Sequence, residues 1–196
     1  KDGRPPIYRN SITASHYALD SHAHHKREPG RVHLDGFLSH PTRPYTVPYG
    51  VIVPKKVDNL LTPVPVSGTH IGFSTLRMEP CWMALGQAAG AAACLSIRDG
   101  VAPRKLNVEA LQDALLDQGA ILFYYSDLKP GMKEYKLFQR AGLRGMFTDW
   151  RALPNEAVSQ RVADKWIEIA KPATPPACTP GKTTRAELLR QLLGKR

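Results

Sequence analysis

A polar segment followed by a stretch of very small residues is the part of this sequence best suited to chemistry. STLRMEPCWMALGQAAGAAACLS, residues 74–96, follows His70, contains Arg77, and turns helix-like at Pro80. Proline in the first helical position gives up only an N–H that has no partner there, so a helix is predicted to begin at Pro80. A helix N-terminus attracts anionic ligand groups through free N–H groups and a partial positive charge. No catalytic residue is assigned by this pattern, but His70 and Arg77 are the candidates.

The elements on either side must position these residues. The Gly/Ala-rich helix is predicted over residues 80–98, with Gly100 as a left-handed stop. Gly86 and Gly90, four residues apart, stack on one face and leave it almost without side chains, so another group can come close. Upstream, VDNLLTPVPVSGTH predicts a buried strand that leads into a polar loop. Pro63 and Pro65 lack N–H groups on the same edge of this strand, so its opposite edge can still form a hydrogen-bond ladder.

Residues 1–57 are interpreted as a region of strands and turns. YTVPYGVIVP places alternate apolar residues on one face, and Pro48 and Pro54 restrict it to an edge or a bulged strand. The members of that face are Tyr45, Val47, Tyr49, Val51 and Val53. SITASHYALDSHAHH and RVHLDGF are weaker strand candidates, joined by a turn at Pro29 and Gly30.

The C-terminal part is predicted to be helical. A helix is expected from its cap Asn107 to Gly119, with Val108, Leu111 and Leu115 at core spacing. Residues 124–171 predict short helices, one carrying Tyr135 and Phe138 and ending at Gly142, and one carrying the core stripe Val158, Val162, Trp166 and Ile169. Residues 172–183 are a Pro-rich linker, and Thr184 with Glu187 form a capping box that opens a terminal helix over 184–196.

Composition bounds the class of protein. With 196 residues and 42% hydrophobic content, the chain can form one large domain or one domain with a small appendage. No apolar run is long enough to cross a bilayer, and no signal peptide is visible, so no membrane partner is predicted. The net charge of +10 is scattered in ones and twos without interleaved aromatic residues, which indicates a basic surface rather than nucleic-acid binding.

Three cysteines, Cys81, Cys94 and Cys178, include no C-x-x-C pair, and they leave the compartment undetermined. Cys81 sits close to the predicted start of the helix. A redox-active thiol and a small buried filler are the two interpretations of this residue, and the second is the more common one.

One long segment resembles a known family. PYGVIVPKKVDNLLTPVPVSGTHIGFSTLRMEPCWMALGQAAGAAACLS is similar to the C-terminal flavin-binding segment of bacterial FAD-dependent oxidoreductases of the glutathione-reductase-like type, some of which are labelled xanthan lyases. The resemblance spans residues 11–123 and is most specific from Asn59 to Gly90. It implies an α/β fold, α+β as an isolated fragment: the end of a Rossmann-like FAD/NAD(P)-binding domain over 58–123, a substrate-facing β region over 1–57, and a helical tail.

The resemblance also implies a cofactor site and a substrate class. In that family the loop lies beside the ribityl and pyrophosphate groups of FAD, and the helix points at the pyrimidine edge of the ring. Negative charge on a reduced flavin gathers near this edge, where a helix end contributes about 1 to 2 kcal/mol. The substrate would be a small molecule or a carbohydrate. The implied cofactor-binding residues are Ser67, Gly68, Thr69, His70, Arg77, Pro80, Met83, Gly86 and Gln87.

Two departures from the family pattern qualify this interpretation. VPVSG stands where many such flavoproteins have an Ala-Gly-Arg or Gly-Asp turn, and no G-x-G-x-x-G occurs anywhere in the chain. That fingerprint binds the ADP half of FAD on the first βαβ unit, which lies near the N-terminus in this family. The chain, which opens at Lys1, is therefore expected to be a C-terminal portion that holds FAD poorly without an N-terminal segment of the same protein.

The N-terminal histidines and residues 124–170 each have a functional interpretation and a simpler one. Histidines crowd the first forty residues, but no third ligand with a supporting carboxylate is identifiable, so no metal site is predicted and a proton-transfer role for one of them stays open. They are His16, His22, His24, His25, His33 and His40. Residues 124–170 faintly resemble a surface-layer-homology repeat. The alternative function is therefore a non-catalytic glycan- or cell-wall-binding module. The simpler interpretation of residues 124–170 is an ordinary helical appendage.

Overall fold

Four short strands form the N-terminal part of the structure. The computed structural model describes residues 5–22, 29–30 and 37–194. Within them β1 pairs antiparallel with β4, and β2 pairs antiparallel with β3, which gives two separate two-stranded sheets. The strands are β1 (Ser11–Ser15), β2 (Leu19–His22), β3 (Phe37–His40) and β4 (Tyr45–Pro48).

Helices make up most of the rest. Those described are α1 (His70–Leu76), α2 (Glu79–Asp99), α3 (Val108–Asp117), α4 (Tyr135–Leu143), α5 (Gln160–Ala170) and α6 (Arg185–Leu193), with 3-10 turns at Tyr49–Ile52 and Pro103–Lys105. This mixture of helices and small sheets agrees with the predicted α/β class, in the form expected of a fragment.

The long helix α2 forms almost as predicted. It begins at Glu79, one residue before Pro80, and ends where Gly100 adopts a left-handed conformation with φ of 65°. Leu85, Ala88 and Ala92 are fully buried on its inner face. The expectation that no apolar run is long enough to cross a bilayer was wrong, because α2 meets the criteria of length and composition. This is weak evidence for a membrane span, since the core helix of a soluble protein meets the same criteria.

Local capping signals are confirmed at two other helices. The Asn107 side chain accepts hydrogen bonds from the N–H groups of Glu109 and Ala110, at 3.0 and 3.3 Å. At the start of α6, the Thr184 side chain accepts from the Glu187 N–H while the Glu187 carboxylate accepts from the Thr184 N–H, which is the predicted capping box. These interactions span two or three residues, so the sequence alone determines them.

The strand predicted to run from Tyr45 to Val53 is shorter than expected. β4 ends at Pro48, which has no N–H to continue a ladder, and the chain then forms a 3-10 turn. β4 is an edge strand, as one of the two expected alternatives had it, while the extra residue of the register shift between Ser11 and Thr13 lies on its partner β1. The Tyr49 hydroxyl donates to the Pro103 carbonyl oxygen at 2.9 Å, which fixes the turn against the segment after α2.

The strand predicted within VDNLLTPVPVSGTH, residues 57–70, was wrong. This segment is irregular, and its cross-chain backbone bonds are those from the N–H groups of Thr62 to Ile52 and of Ser67 to Val51, at 2.9 and 2.7 Å. Pro63 and Pro65 have no N–H, and the Val66 N–H donates locally to the Val64 carbonyl oxygen at 2.9 Å, so no regular ladder forms among the described residues.

Helix α4 does not end at Gly142 as predicted, but continues to Leu143. The chain reverses after it at Gly145, whose φ is 76°. Gly142 serves a different purpose, because a Cβ there would lie 2.6 Å from the Phe123 ring and 2.8 Å from the Tyr125 hydroxyl oxygen. A close approach between α4 and segment 123–125 therefore requires glycine at this position.

The tail shares a continuous core with the N-terminal half. Phe147 packs between Tyr125 and Trp166, with ring centroids 5.1 Å apart on each side. The Trp166 indole N–H donates to the Met146 carbonyl oxygen at 2.7 Å. Val158 and Trp166 are buried while Val162 and Ile169 are half-buried, which confirms the predicted core stripe.

We expect Gly142→Ala to lower the free energy of unfolding by about 1 to 3 kcal/mol, because the Phe123 ring must move to admit a methyl group. Gly86→Ala is the matched control. A Cβ at Gly86 meets nothing within 4 Å, so that variant should gain about 0.5 to 1 kcal/mol from helix propensity. Urea unfolding checks both, and equal effects of the two substitutions would contradict the close approach.

Alkaline pH should weaken the anchor at Tyr49. Burial raises the pKa of Tyr49 from 10.0 to about 12, so the phenol ionises at lower pH in the unfolded chain than in the folded one. Its contribution to stability is therefore complete below pH 10 and is lost as the pH rises through about 12. We expect the stability difference between the wild type and Tyr49→Phe, measured by urea unfolding, to shrink over this range; a constant difference would contradict it.

Candidate functional site

The candidate site lies where α1 packs against β2. The Ser21 hydroxyl oxygen is 2.8 Å from Nε2 of His70, and the Asp20 N–H donates to the Ser74 hydroxyl at 3.2 Å. Helix α1 begins here because the Thr69 side chain accepts a hydrogen bond from the Gly72 N–H at 3.0 Å. His70 is thus the first residue of a helix that the sequence analysis did not predict, rather than part of the loop.

Arg77 has partners within the chain. Its guanidinium donates to the Asp20 carboxylate at 2.7 Å and lies 5.9 Å from the centroid of the Tyr17 ring. Arg77 also follows the last residue of α1, where a positive charge is favourable. The resemblance implied that Arg77 binds the cofactor, and Arg77 was also a catalytic candidate. The structure gives it a structural role, which is to hold α1 on β2.

Tyr45 and Cys81 lie on the core side of the polar contacts between α1 and β2. The Tyr45 hydroxyl donates to the Thr75 carbonyl oxygen at 2.9 Å, and burial raises the pKa of this phenol. Cys81 is buried in the core, and burial also raises the pKa of its thiol, although a hydrogen bond with Ser15 acts in the opposite direction. A thiol with a raised pKa is a poor nucleophile, so the small buried filler describes Cys81 better.

The N-terminus of α2 offers fewer hydrogen-bond donors than expected. Pro80 has no N–H, and the N–H groups of Cys81 and Trp82 both donate to the Met78 carbonyl oxygen, at 3.0 and 3.1 Å. No side chain caps this end, and the carboxylate of Glu79 occupies its first turn. The helix end therefore acts on a ligand through its partial charge more than through free N–H groups.

Free backbone donors lie instead in the preceding loop. The Ser67 N–H is used by Val51, but the N–H groups of Gly68 and Thr69 donate to no acceptor within the described ranges. Residues 67–70 are all exposed. These two N–H groups can serve an anionic or carbonyl oxygen supplied from outside the chain.

The outer face of α2 is bare. A Cβ built on Gly86 or Gly90 meets nothing within 4 Å, so the close packing expected of this face is not made by any described residue. The face opens into a cavity of about 410 Å³ between α2 and α3, which Gln87 and Gln118 bridge through a side-chain hydrogen bond of 3.1 Å. The exposed side chains of Met83 and Ile97 lie on the same helix.

These features allow a test of whether the residues fit a flavin. A Cβ on Gly68 would lie 3.6 Å from the Phe73 nitrogen, which is an ordinary contact, so the chain's own packing demands glycine at none of positions 68, 86 and 90. Gly86 and Gly90 keep a face of α2 clear of side chains, and the two free N–H groups lie in the loop that precedes α1. A flat ring with an electron-rich edge fits such a surface.

The predicted binding residues differ in their exposure to solvent. Exposed members are Ser67, Gly68, Thr69, His70, Pro80, Met83 and Gln87, while Arg77 and Gly86 are half-buried. Asp20 and Ser21 were missed, because residues about fifty positions away in sequence are their partners and no local pattern marks them. For α1 a signal existed, namely Thr69 as a cap residue.

The histidine cluster is only partly described. Nε2 of His16 lies 2.8 Å from the Thr42 carbonyl oxygen, and His40 is exposed. His24, His25 and His33, with the side chain of His22, lie outside the described residues. Among the residues that are described, no three His, Cys, Asp or Glu side chains come together in a way that could hold a metal ion.

Comparison with known families identifies the chain. A family model described as FAD dependent oxidoreductase matches residues 5–115, more than half of the 196 residues. The chain belongs to the FAD-dependent oxidoreductase family, and this membership implies FAD as its cofactor. Neither the curated proteins nor the solved structures gave a match.

Arg77→Gln should lower the free energy of unfolding by about 0.5 to 1 kcal/mol, because it breaks a partly exposed ion pair that holds α1 on β2. Arg98→Gln is the control, since Arg98 pairs only with its exposed neighbour Asp99 and should change stability by less. Urea unfolding measures both. If Arg77→Gln proves as stable as Arg98→Gln, Arg77 does not secure α1.

Proposed function

We propose that this chain forms the flavin-ring side of an FAD-dependent oxidoreductase of the glutathione-reductase-like type. Two observations carry the proposal: the exposed loop at Gly68 with its two free N–H groups, and the face of α2 that Gly86 and Gly90 leave without side chains. Nothing within the described chain occupies this surface, and the family to which the chain belongs requires a place for a large, flat cofactor.

Each part of this surface has a role in the proposal. The N–H groups of Gly68 and Thr69 bind oxygen atoms of the cofactor chain, with Ser67 beside them. The partial positive charge at Pro80 favours the electron-rich edge of the ring. Met83, Gly86 and Gln87 form the wall against which the ring lies. FAD, when bound, supplies the electron-transfer chemistry, and the protein supplies binding and orientation.

His70 is the candidate for moving a proton near the ring. It is exposed, and its Nε2 is held by the Ser21 hydroxyl at 2.8 Å, so the imidazole has a fixed position. Imidazole is the side chain best suited to proton transfer near neutral pH. Arg77 acts as a positioning residue for His70, because its ion pair with Asp20 holds α1, the helix that carries His70, on β2. The substrate is a small molecule or a carbohydrate.

We also propose how the chain is divided. Residues 1–57 face the substrate, 58–123 belong to the flavin-binding domain, 124–171 form a helical appendage, 172–183 a linker and 184–196 a terminal helix. Because the chain has no G-x-G-x-x-G, the ADP half of FAD needs an N-terminal segment of the same protein.

The test is flavin binding by protein expressed from its complete reading frame. We expect the purified protein to carry flavin absorbance, and Gly68→Val to weaken FAD binding tenfold or more, which is about 1.4 kcal/mol, because the new side chain fills the cleared surface. Gly50→Val is the matched control, since Gly50 is also exposed and also has room for a side chain.

Two results would contradict the proposal. A colourless protein that takes up no added FAD would favour the alternative, a glycan- or cell-wall-binding module. Equal FAD binding by the Gly68→Val and Gly50→Val variants would mean that the cofactor does not lie on this surface. Thermal unfolding of both variants shows whether a loss of binding is instead a loss of folding.

A further inference from the structure

We propose that a second cavity, between β4 and the tail, binds a small molecule in which a carboxylate is attached to a six-membered ring. The cavity has a volume of about 200 Å³. One wall comes from residues 5–7 and 43–46, and the other from 123–124 and 147–150. The family match ends at residue 115, so the second wall lies outside it, and the matched part alone cannot form this cavity.

Hydrogen bonds fix the first wall. The Tyr8 N–H donates to the Thr46 hydroxyl at 2.9 Å, and that hydroxyl donates to the Pro6 carbonyl oxygen at 3.3 Å. The segment before β1 is thereby held along β4. A wall that is ordered before the ligand arrives costs less entropy on binding.

The second wall is fixed equally well. The Ser126 N–H and hydroxyl both donate to the Trp150 carbonyl oxygen, at 2.7 and 3.1 Å. Phe147 belongs to the aromatic stack of the core, 5.1 Å from both Tyr125 and Trp166. Both walls of the cavity are therefore held in place by the folded structure around it.

Shape and surface of the cavity indicate a single ring. Phe123 and Phe147 are buried beneath it, while Tyr124 is 40% exposed and Trp150 is half-buried. Aromatic faces stack on flat apolar surfaces, whether an aromatic ring or the C–H face of a pyranose. A volume of about 200 Å³ is below the roughly 300 to 1,000 Å³ typical of drug-sized ligands, so one ring fills it.

Charge at the mouth indicates a carboxylate. Arg43 is exposed, its guanidinium lies 5.9 Å from the centroid of the Trp150 ring, and no carboxylate within the described ranges pairs with it. The nearby Asp149 is already engaged, because it accepts from the Arg151 N–H at 2.9 Å and lies 3.9 Å from the Arg151 guanidinium. Among the residues that the structure describes, Arg43 thus presents a planar fork with no carboxylate partner, which matches a carboxylate in two hydrogen bonds.

The test measures ligand binding to the whole chain by isothermal titration calorimetry. Benzoate carries the carboxylate on an aromatic ring, and its neutral counterpart is benzyl alcohol. Glucuronate carries the carboxylate on a sugar ring, and its neutral counterpart is glucose. We expect at least one of the two acids to bind, and to bind tenfold or more tightly than its neutral counterpart. Which acid binds identifies the ring, and either one supports the proposal.

Arg43→Gln should weaken binding of that acid tenfold or more. Arg161→Gln is the matched control, because Arg161 is an exposed arginine on α5 away from the cavity, and it should leave binding unchanged. The proposal is overturned if neither acid binds, if the neutral counterparts bind as tightly, or if the two variants bind alike. Circular dichroism of both variants confirms that they are folded.

Discussion

The burial of one face of α2 is the constraint on which the rest of the structure depends. Leu85, Ala88 and Ala92 are completely removed from solvent as the helix packs on β1 and α3. Two of these three side chains are single methyl groups, so the backbone of α2 comes close to its neighbours and its rotation about its own axis is fixed. The opposite face, with Gly86 and Gly90, is then necessarily the one presented to a cofactor or to another segment.

Strands β1 and β4 connect the packed helices α2 and α3 to both proposed sites. The Gln112 side chain on α3 donates to the carbonyl oxygens of Arg9 and Ser11, at 2.8 and 2.9 Å, and the Ser11 hydroxyl donates to Leu122 at 3.0 Å. Tyr45 on β4 lines the second cavity while its hydroxyl contacts Thr75 of α1. One small sheet therefore forms a wall of the second cavity and supports the helix that carries His70.

Errors in the sequence analysis have identifiable causes. Apolar residues between Val57 and Val66 resemble a buried strand, but Pro63 and Pro65 have no N–H, the Val66 N–H bonds locally to Val64, and the described backbone bonds to the 3-10 turn come from Thr62 and Ser67. Gly142 was taken for a helix stop because glycine often has that role. Its absent side chain instead makes room for Phe123, which nothing in the neighbouring sequence indicates.

The sequence by itself determined the features that depend on residues a few positions apart: the cap at Asn107, the capping box of α6 and the stop at Gly100. It also carried the resemblance to the family whose model matches residues 5–115. Tertiary structure alone decided the pairing of Asp20 with Arg77, the contact of Ser21 with His70, and the joining of Arg43 and Trp150 at one cavity. The physical reason is range. A cap satisfies backbone groups within its own turn, whereas these partners are separated by about fifty residues or more and meet only because packing of the core brings their elements together.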